Sequence, residues 1–131
     1  MHLASDYIHT TPRGGTCRIR IYLPEDEQGD APVVVCSELA YNEGSSVTYS
    51  AHQVAAEVIH YNRLTLPPVW IKHYPKEATD GVSETFELAV FSSYEVVESA
   101  PYLGKTRLTV GEPTWKALDR GSVETLVGQE V

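Results

Sequence analysis

The segment between residues 37 and 48 brings carboxylates, an amide and hydroxyls together where an apolar run leads into a helical pattern. Backbone N–H groups and the positive end of a helix dipole can hold a ligand at such a junction. It lacks the GxxxxGK[ST] and GxGxxG patterns, and its two glutamates would repel a phosphate. A capped helix after a polar loop is the simpler interpretation. The candidate ligand-contacting residues are Glu38, Asn42, Glu43, Ser45, Ser46 and Thr48.

Five histidines raise the question of a metal site. His52 and His60 lie on one predicted helix with Glu57, but their side chains point about 80° apart, and Glu57 lies about 140° from His52. These three residues therefore do not converge as HExxH ligands do. His73 lies in a predicted strand and is given no role. An acidic loop does not have the spacing of an EF-hand; its residues are Glu25, Asp26, Glu27 and Asp30. We predict no metal and no cofactor.

Two cysteines, Cys17 and Cys36, sit inside apolar, β-branched runs, where small buried thiols usually occur. Cys36 comes just before Glu38, and His52 could supply a base, but neither GxSxG nor a known cysteine signature is present. A buried apolar thiol is inert. We expect no catalytic residue and no structural disulfide, while the register of the two runs stays open.

Tyrosines make up eight of the twelve aromatic residues, and many of them flank predicted elements. Amphipathic rings at the ends of elements are enriched in protein interfaces. Trp70 would face away from its neighbours in a strand that alternates. The candidate interface residues are Trp70, Tyr74 and Tyr22. The alternative is that Trp70 and Tyr22 pack beneath loops or a terminal helix.

The elements that position these residues follow from the periodicity of the chain. Alternation predicts a half-buried strand over 17–23, and continuous apolar character predicts a covered strand over 33–36. One apolar face at helical spacing predicts the principal helix over 46–61, made of Val47, Ala51, Val54, Ala55 and Val58. Further strands are predicted over 69–74, 85–91 and 106–110. Pro113 suggests the first turn of a short C-terminal helix that ends at Gly128.

The order β-β-α-β-β-β-α predicts an α+β fold. We expect a mainly antiparallel sheet of four to five strands packed against one principal helix, with a short C-terminal helix. Residues 1–131 are expected to form a single globular domain, because the chain is too short for two ordinary ones. The Pro and Gly residues before residue 17 predict an irregular lead-in over residues 1–16.

Charge and hydropathy limit the function classes. The net charge is −8, and no basic stretch offers an electrostatic footprint for nucleic acid or anionic lipid. No apolar run approaches the roughly 20 residues of a membrane-spanning helix, and the N-terminus lacks the features of a signal peptide. We therefore expect a cytoplasmic protein with no nucleic-acid partner and no membrane.

Two functions from different classes remain. The first is a non-enzymatic interaction or accessory module that binds another protein or forms a homodimer through an exposed sheet face. The alternative is a small-molecule binder or enzyme that uses the strand-to-helix loop 37–48. Because no catalytic set converges in the sequence, an enzyme is the less favoured of the two.

Overall fold

The computed structural model describes residues 1–25, 32–39, 44–61, 68–75, 84–91, 94–100 and 105–129, with the backbone alone at 44–45, 59–61, 94–100 and 105–110. It contains eight strands and two helices in these ranges. They are β1 (His2–Thr10), β2 (Thr16–Leu23), β3 (Val34–Glu38), α1 (Gly44–Tyr61), β4 (Val69–Tyr74), β5 (Thr85–Phe91), β6 (Tyr94–Ala100), β7 (Lys105–Val110), β8 (Pro113–Leu118) and α2 (Arg120–Val127).

The main sheet has six strands in the order β1-β2-β3-β4-β5-β8. All neighbouring strands are antiparallel except β3 and β4, which are parallel and joined through α1. The predicted α+β class and mainly antiparallel sheet are confirmed. The sheet is larger than the predicted four to five strands, and it contains one parallel pair, β3 and β4.

Each face of the sheet is covered by one helix. The α1 face carries Ile19, Val35 and Trp70 against Val47 and Ala51 of α1. The opposite face, which we call the α2 face, carries a second core. Its buried members are Tyr22, Val34, Cys36, Val69, Ile71, Phe86, Val123 and Val127. Because successive strand residues alternate between faces, each of the strands β2 to β5 contributes to both cores.

The N-terminal segment differs from the predicted irregular lead-in. Residues 2–10 form β1, which pairs with the whole of β2, and a turn follows that ends at Gly14, whose φ is 84°. Edge strand β1 leaves most of its side chains half-buried or exposed, Ile8 by 59%. Such a strand shows little of the alternation from which strands are predicted, because its structure depends on hydrogen bonds to β2.

The C-terminal region was also predicted incompletely. Pro113 begins strand β8 rather than a helix, since proline is tolerated at the first residue of an edge strand. Helix α2 starts later, where the Asp119 side chain accepts a hydrogen bond from the backbone N–H of Ser122. It ends as predicted at Gly128, which adopts the left-handed conformation with φ of 75°. Of the apolar residues Val123, Leu126 and Val127, which repeat at helical spacing, Val123 and Val127 are buried and Leu126 is 40% exposed.

Strand β5 pairs with β8, and strand β6, which follows β5 in the chain, pairs with β7. We call these two pairs together the arm. Phe91 pairs with Pro113 in the main sheet, and Tyr94 pairs with Val110 in the separate β6-β7 hairpin. The residue pairing therefore keeps the same register across the junction. The outer half of the arm leaves the main sheet and lies beside α1. The predicted edge strand over residues 106–110 is β7, in this hairpin.

Candidate functional site

The carboxyl ends of the parallel strands β3 and β4 place two ionisable residues side by side on the α2 face. Glu38 at the end of β3 pairs in register with His73 of β4. Glu84, which lies just before β5, and Arg120, which begins α2, complete the group. Ligands in sheets with parallel strands commonly bind outside the carboxyl ends of those strands. We call Glu38, His73, Glu84, Arg120 and the nearby Arg20 the polar cluster.

His73 lies at the centre of the polar cluster and is 8% exposed. Its Nε2 lies 2.9 Å from Oε2 of Glu84, within hydrogen-bond distance. Its ring stacks on Phe86 with centroids 4.4 Å apart and planes 6° from parallel. The second ring nitrogen, Nδ1, has no hydrogen-bond partner among the described residues and lies 4.0 Å from Oε1 of Glu38. His73 is thus held rigidly with one nitrogen available.

Glu84 links the sheet to α2. Arg120 donates from Nε to Oε1 and from Nη2 to Oε2 of Glu84, both at 2.7 Å. Hydrogen bonds from Arg120 are the largest cause that lowers the pKa of Glu84 from 4.5 to about 2, and His73 adds to the effect. Glu84 therefore stays ionised and fixes the orientation of the His73 ring.

Arg20 lies on β2 beside Cys36, which comes two residues before Glu38 on β3. Its side chain is 4% exposed. Its Nη2 donates to the Sγ of Cys36 at 3.7 Å, a weak contact. Its Nε is buried and has no hydrogen-bond partner among the described residues. Burial raises the pKa of Cys36 more than the nearby Arg20 lowers it, so the sulfur stays an uncharged thiol. The guanidinium of Arg20 thus faces a neutral group.

The candidate ligand loop is divided by the structure. Glu38 joins the polar cluster on the α2 face. Ser46 lies on the α1 side, where its hydroxyl is 3.1 Å from Nε2 of His9, and Thr48 is half-buried in α1. Asn42 and Glu43 lie outside the described residues, as does the side chain of Ser45. The described part of the loop therefore contributes one residue, Glu38, to the polar cluster, whereas the predicted hydroxyl donors that are described lie with α1.

The candidate interface residues are mostly internal. Trp70 and Tyr22 are each 1% exposed, and they lie on opposite faces of the sheet. The indole of Trp70 donates to the Ser37 hydroxyl at 3.0 Å, and Tyr74 is half-buried against the same core. The interpretation of Trp70 and Tyr22 as contact residues is therefore corrected, because both rings pack within this chain. Tyr22 packs with the C-terminal helix α2, as in the alternative interpretation, whereas Trp70 packs in the α1-face core.

The two cysteines lie on opposite faces of the sheet. Cys17 belongs to the α1-face core and Cys36 to the α2-face core, so no disulfide joins them. Among the described residues, no group of three or more His, Cys, Asp and Glu side chains could hold a metal ion. Most of the acidic loop that was weighed for calcium lies outside those residues. In the part of the chain that the structure describes, no helix has the length and apolar character needed to cross a membrane.

Comparisons of the chain with protein-family models, with curated proteins and with solved structures give no match. The function is therefore argued from the geometry of this chain alone.

The sequence indicated one member of the polar cluster, Glu38, and missed the others. The sequence assigns His73 no role, and the alternation over 17–23 predicts a solvent-facing Arg20, whereas the side chain is 4% exposed. A signal was present: Arg18, Arg20 and Tyr22 occupy one face of β2, and a second helix at the C-terminus could have been expected to cover it. Which residues of β4 and α2 meet that face depends on strand order, which the sequence does not show.

Proposed function

We propose that this chain binds a small molecule at the polar cluster, outside the carboxyl ends of β3 and β4. The observation that carries the proposal is that two side chains at least nine-tenths buried on the same sheet face, Arg20 and His73, each keep a nitrogen without a hydrogen-bond partner. Leaving a buried donor or acceptor unpaired costs about 1–3 kcal/mol. A ligand that supplies the missing hydrogen-bond partners would remove this energetic cost, so the two unpaired nitrogens favour ligand binding.

The surroundings support binding at this place. Glu38 and Glu84 flank His73, and both side chains are 32% exposed, so solvent reaches the edge of the polar cluster. Glu84 and Arg120 satisfy each other and position the His73 ring.

Binding without turnover fits the chemistry of these groups. The Cys36 thiol is buried and its pKa is raised, which makes it a poor nucleophile. Glu84 is tied to Arg120, and its lowered pKa makes it a weak base. The proposal is therefore a non-enzymatic binding protein, with Glu38 as an orienting carboxylate.

A screen of metabolites by NMR tests this proposal. The ring C–H signals of His73 report binding at the polar cluster. Those of His9, which contacts Ser46 of α1 on the other side of the sheet from the polar cluster, serve as an internal control. We expect one compound class to shift the His73 signals saturably, and His73→Gln to weaken that binding about tenfold. His9→Gln should leave the affinity unchanged. If no compound moves the His73 signals, or if both variants lose affinity equally, the proposal is wrong.

A second candidate is the interaction module, in which the chain binds another protein or itself. The outer edge of β1 favours this function, because β1 is an edge strand of the main sheet and its Ile8 side chain is 59% exposed. Open edges with exposed apolar side chains can add a further strand. Light scattering over a concentration series tests it. We expect a dimer that Ile8→Lys dissociates; a monomer at every concentration would contradict self-association.

We also propose a cytoplasmic location. No disulfide joins the two cysteines, which fits a reducing compartment. Fractionation of cells that produce the protein would check this, and recovery with secreted or membrane material would contradict it.

A further inference from the structure

We propose that the ligand of the polar cluster carries a carboxylate group, which Arg20 binds through its Nε and Nη2 atoms beside Cys36. This inference rests on the proposed binding function and adds the chemical class of the ligand.

Three arginines near the α2 face allow a direct comparison. Arg18 donates from Nε and Nη2 to the two carboxylate oxygens of Asp6, at 2.9 and 2.7 Å. Arg120 donates from the same two atoms to Glu84, both at 2.7 Å. Arg20 presents the same edge to Cys36, with one contact of 3.7 Å from Nη2 and none from Nε. Among the described residues, no carboxylate forms this pair of hydrogen bonds with Arg20.

A buried cation is usually paired with an anion, because the loss of hydration is otherwise uncompensated. The uncharged thiol of Cys36 does not provide that pairing. Asp6, across the strand pair from Arg20, is already held by Arg18. The fork of a guanidinium matches the two oxygens of a carboxylate, and such charge-assisted pairs are about twice as strong as neutral ones. A ligand carboxylate would therefore supply the acceptor that Nε lacks and replace the weak contact of Nη2 with Cys36.

The charge around Arg20 favours a singly charged group. Asp6 lies within electrostatic range of Arg20, and Glu38 within range of Cys36. These carboxylates would repel the second charge of a phosphate, whereas a ligand carboxylate balances the single charge of the Arg20 guanidinium. The neighbouring side chains are accessible, with exposures of 42% for Arg18, 34% for Asp6 and 32% for Glu38. Buried Arg20 thus lies beside a polar surface that a ligand can reach.

The test is an NMR titration of the full chain with sodium acetate and sodium succinate, against sodium chloride at equal ionic strength and pH. We expect both carboxylates to shift the backbone amides of Arg20 and Cys36 and the ring signals of His73 saturably. Chloride should not. Inorganic phosphate should bind at least tenfold more weakly than acetate, because of the neighbouring carboxylates.

Three variants separate the contributions. Arg20→Met should weaken acetate binding by about tenfold or more, since it removes both donors. Arg20→Lys keeps the charge but loses the fork, so it should also weaken binding severalfold. Lys116→Met is the matched control, because it also removes one positive charge. Lys116 lies in register with Arg20 across the sheet but is exposed on the edge strand β8. This variant should leave the affinity unchanged. Circular dichroism checks that each variant is folded, and Arg20→Met should fold because it removes a buried charge.

Each contrary outcome has one meaning. Unchanged affinity in Arg20→Met, equal loss in Lys116→Met, or full affinity in Arg20→Lys would overturn the bidentate assignment. Phosphate binding more tightly than acetate would overturn the carboxylate class. If a non-carboxylate compound shifts the His73 signals and Arg20→Met does not affect it, this inference fails while the binding function stands. If no compound moves those signals, both fail.

Discussion

Glu84 joins three elements through one carboxylate, since it contacts His73 of β4 and Arg120 of α2 and lies at the start of β5. Because its pKa is lowered from 4.5 to about 2, the unfolded chain takes up the proton first as pH falls. The stability that Glu84 contributes is therefore fully present above pH 4.5 and is lost as pH falls toward 2.

The first prediction concerns this carboxylate. Glu84→Gln should lower the free energy of unfolding at pH 7 by about 1 kcal/mol, a value that allows for solvent screening of a partly exposed pair. It should also flatten the acid-dependent decrease of stability. Urea unfolding followed by fluorescence at several pH values measures both effects. Glu112→Gln, at an exposed residue, is the control and should keep the wild-type pH dependence. An unaltered pH profile in Glu84→Gln would contradict the assignment.

The second prediction concerns Trp70. Trp70→Phe should destabilise the protein by about 2 kcal/mol, because it opens space in the α1-face core and leaves the Ser37 hydroxyl unpaired. Trp115 is 42% exposed, so Trp115→Phe should change stability by less than about 0.5 kcal/mol. Thermal unfolding of both variants provides the measurement. Equal destabilisation of the two would show that Trp70 is not the core residue described here.

At the scale of elements, α2 is short but well delimited, and its position matters to the site because Arg120 opens its first turn. Asp119 caps the N-terminus, and the N–H of Gly128 donates to the Glu124 carbonyl at the C-terminus. Helices of this length depend on caps and packing more than on intrinsic propensity.

The third prediction uses the two glycines near α2. Gly128→Ala should cost about 1 kcal/mol, because φ of 75° is unfavourable for a residue with a Cβ. A Cβ at Gly121 would meet the nearest atom, Oδ1 of Asp119, at 3.5 Å, an ordinary contact. Gly121→Ala should therefore be neutral or stabilising by up to about 1 kcal/mol. Chemical denaturation measures the free energy of unfolding of both variants. A larger loss of stability in Gly121→Ala than in Gly128→Ala would contradict the capping geometry.

At the scale of the whole molecule, the chain has a net charge of −8, yet it places Arg18, Arg20 and Arg120 near one face of its sheet. Two of these arginines hold carboxylates, whereas the Nε of buried Arg20 has no hydrogen-bond partner among the described residues. A pattern of this kind depends on the antiparallel pairing of β1 with β2 and on the docking of α2, so it belongs to the tertiary structure.

The fourth prediction tests the two-sided core. Cys17 and Cys36 are buried on opposite faces, with exposures of 3% and 1%. A thiol reagent should therefore modify the native protein far more slowly than the urea-unfolded chain, and both cysteines should become reactive in the same urea transition. Mass spectrometry of partly labelled samples distinguishes the two sites. Rapid labelling of Cys36 in the native protein would contradict the inert thiol described here.

The local pattern of the chain determined several elements. The apolar spacing from Val47 to Val58 identified α1, alternation identified β2, and continuous apolar character identified β3. Such patterns report burial on one or both faces of an element, and burial is the dominant local signal. Gly128 was identified because few residues tolerate its backbone conformation.

Tertiary structure alone decided which elements are neighbours. Strand β1 exists because β2 offers it hydrogen bonds, and the parallel pairing of β3 with β4 depends on where the crossover through α1 returns. The side chains of Trp70 and Tyr22 were read as contact residues because the pattern does not show what covers each face. The polar cluster combines residues that lie far apart in the sequence. Its assembly depends on strand order and register, and a shift by one residue would turn each of these side chains to the opposite face.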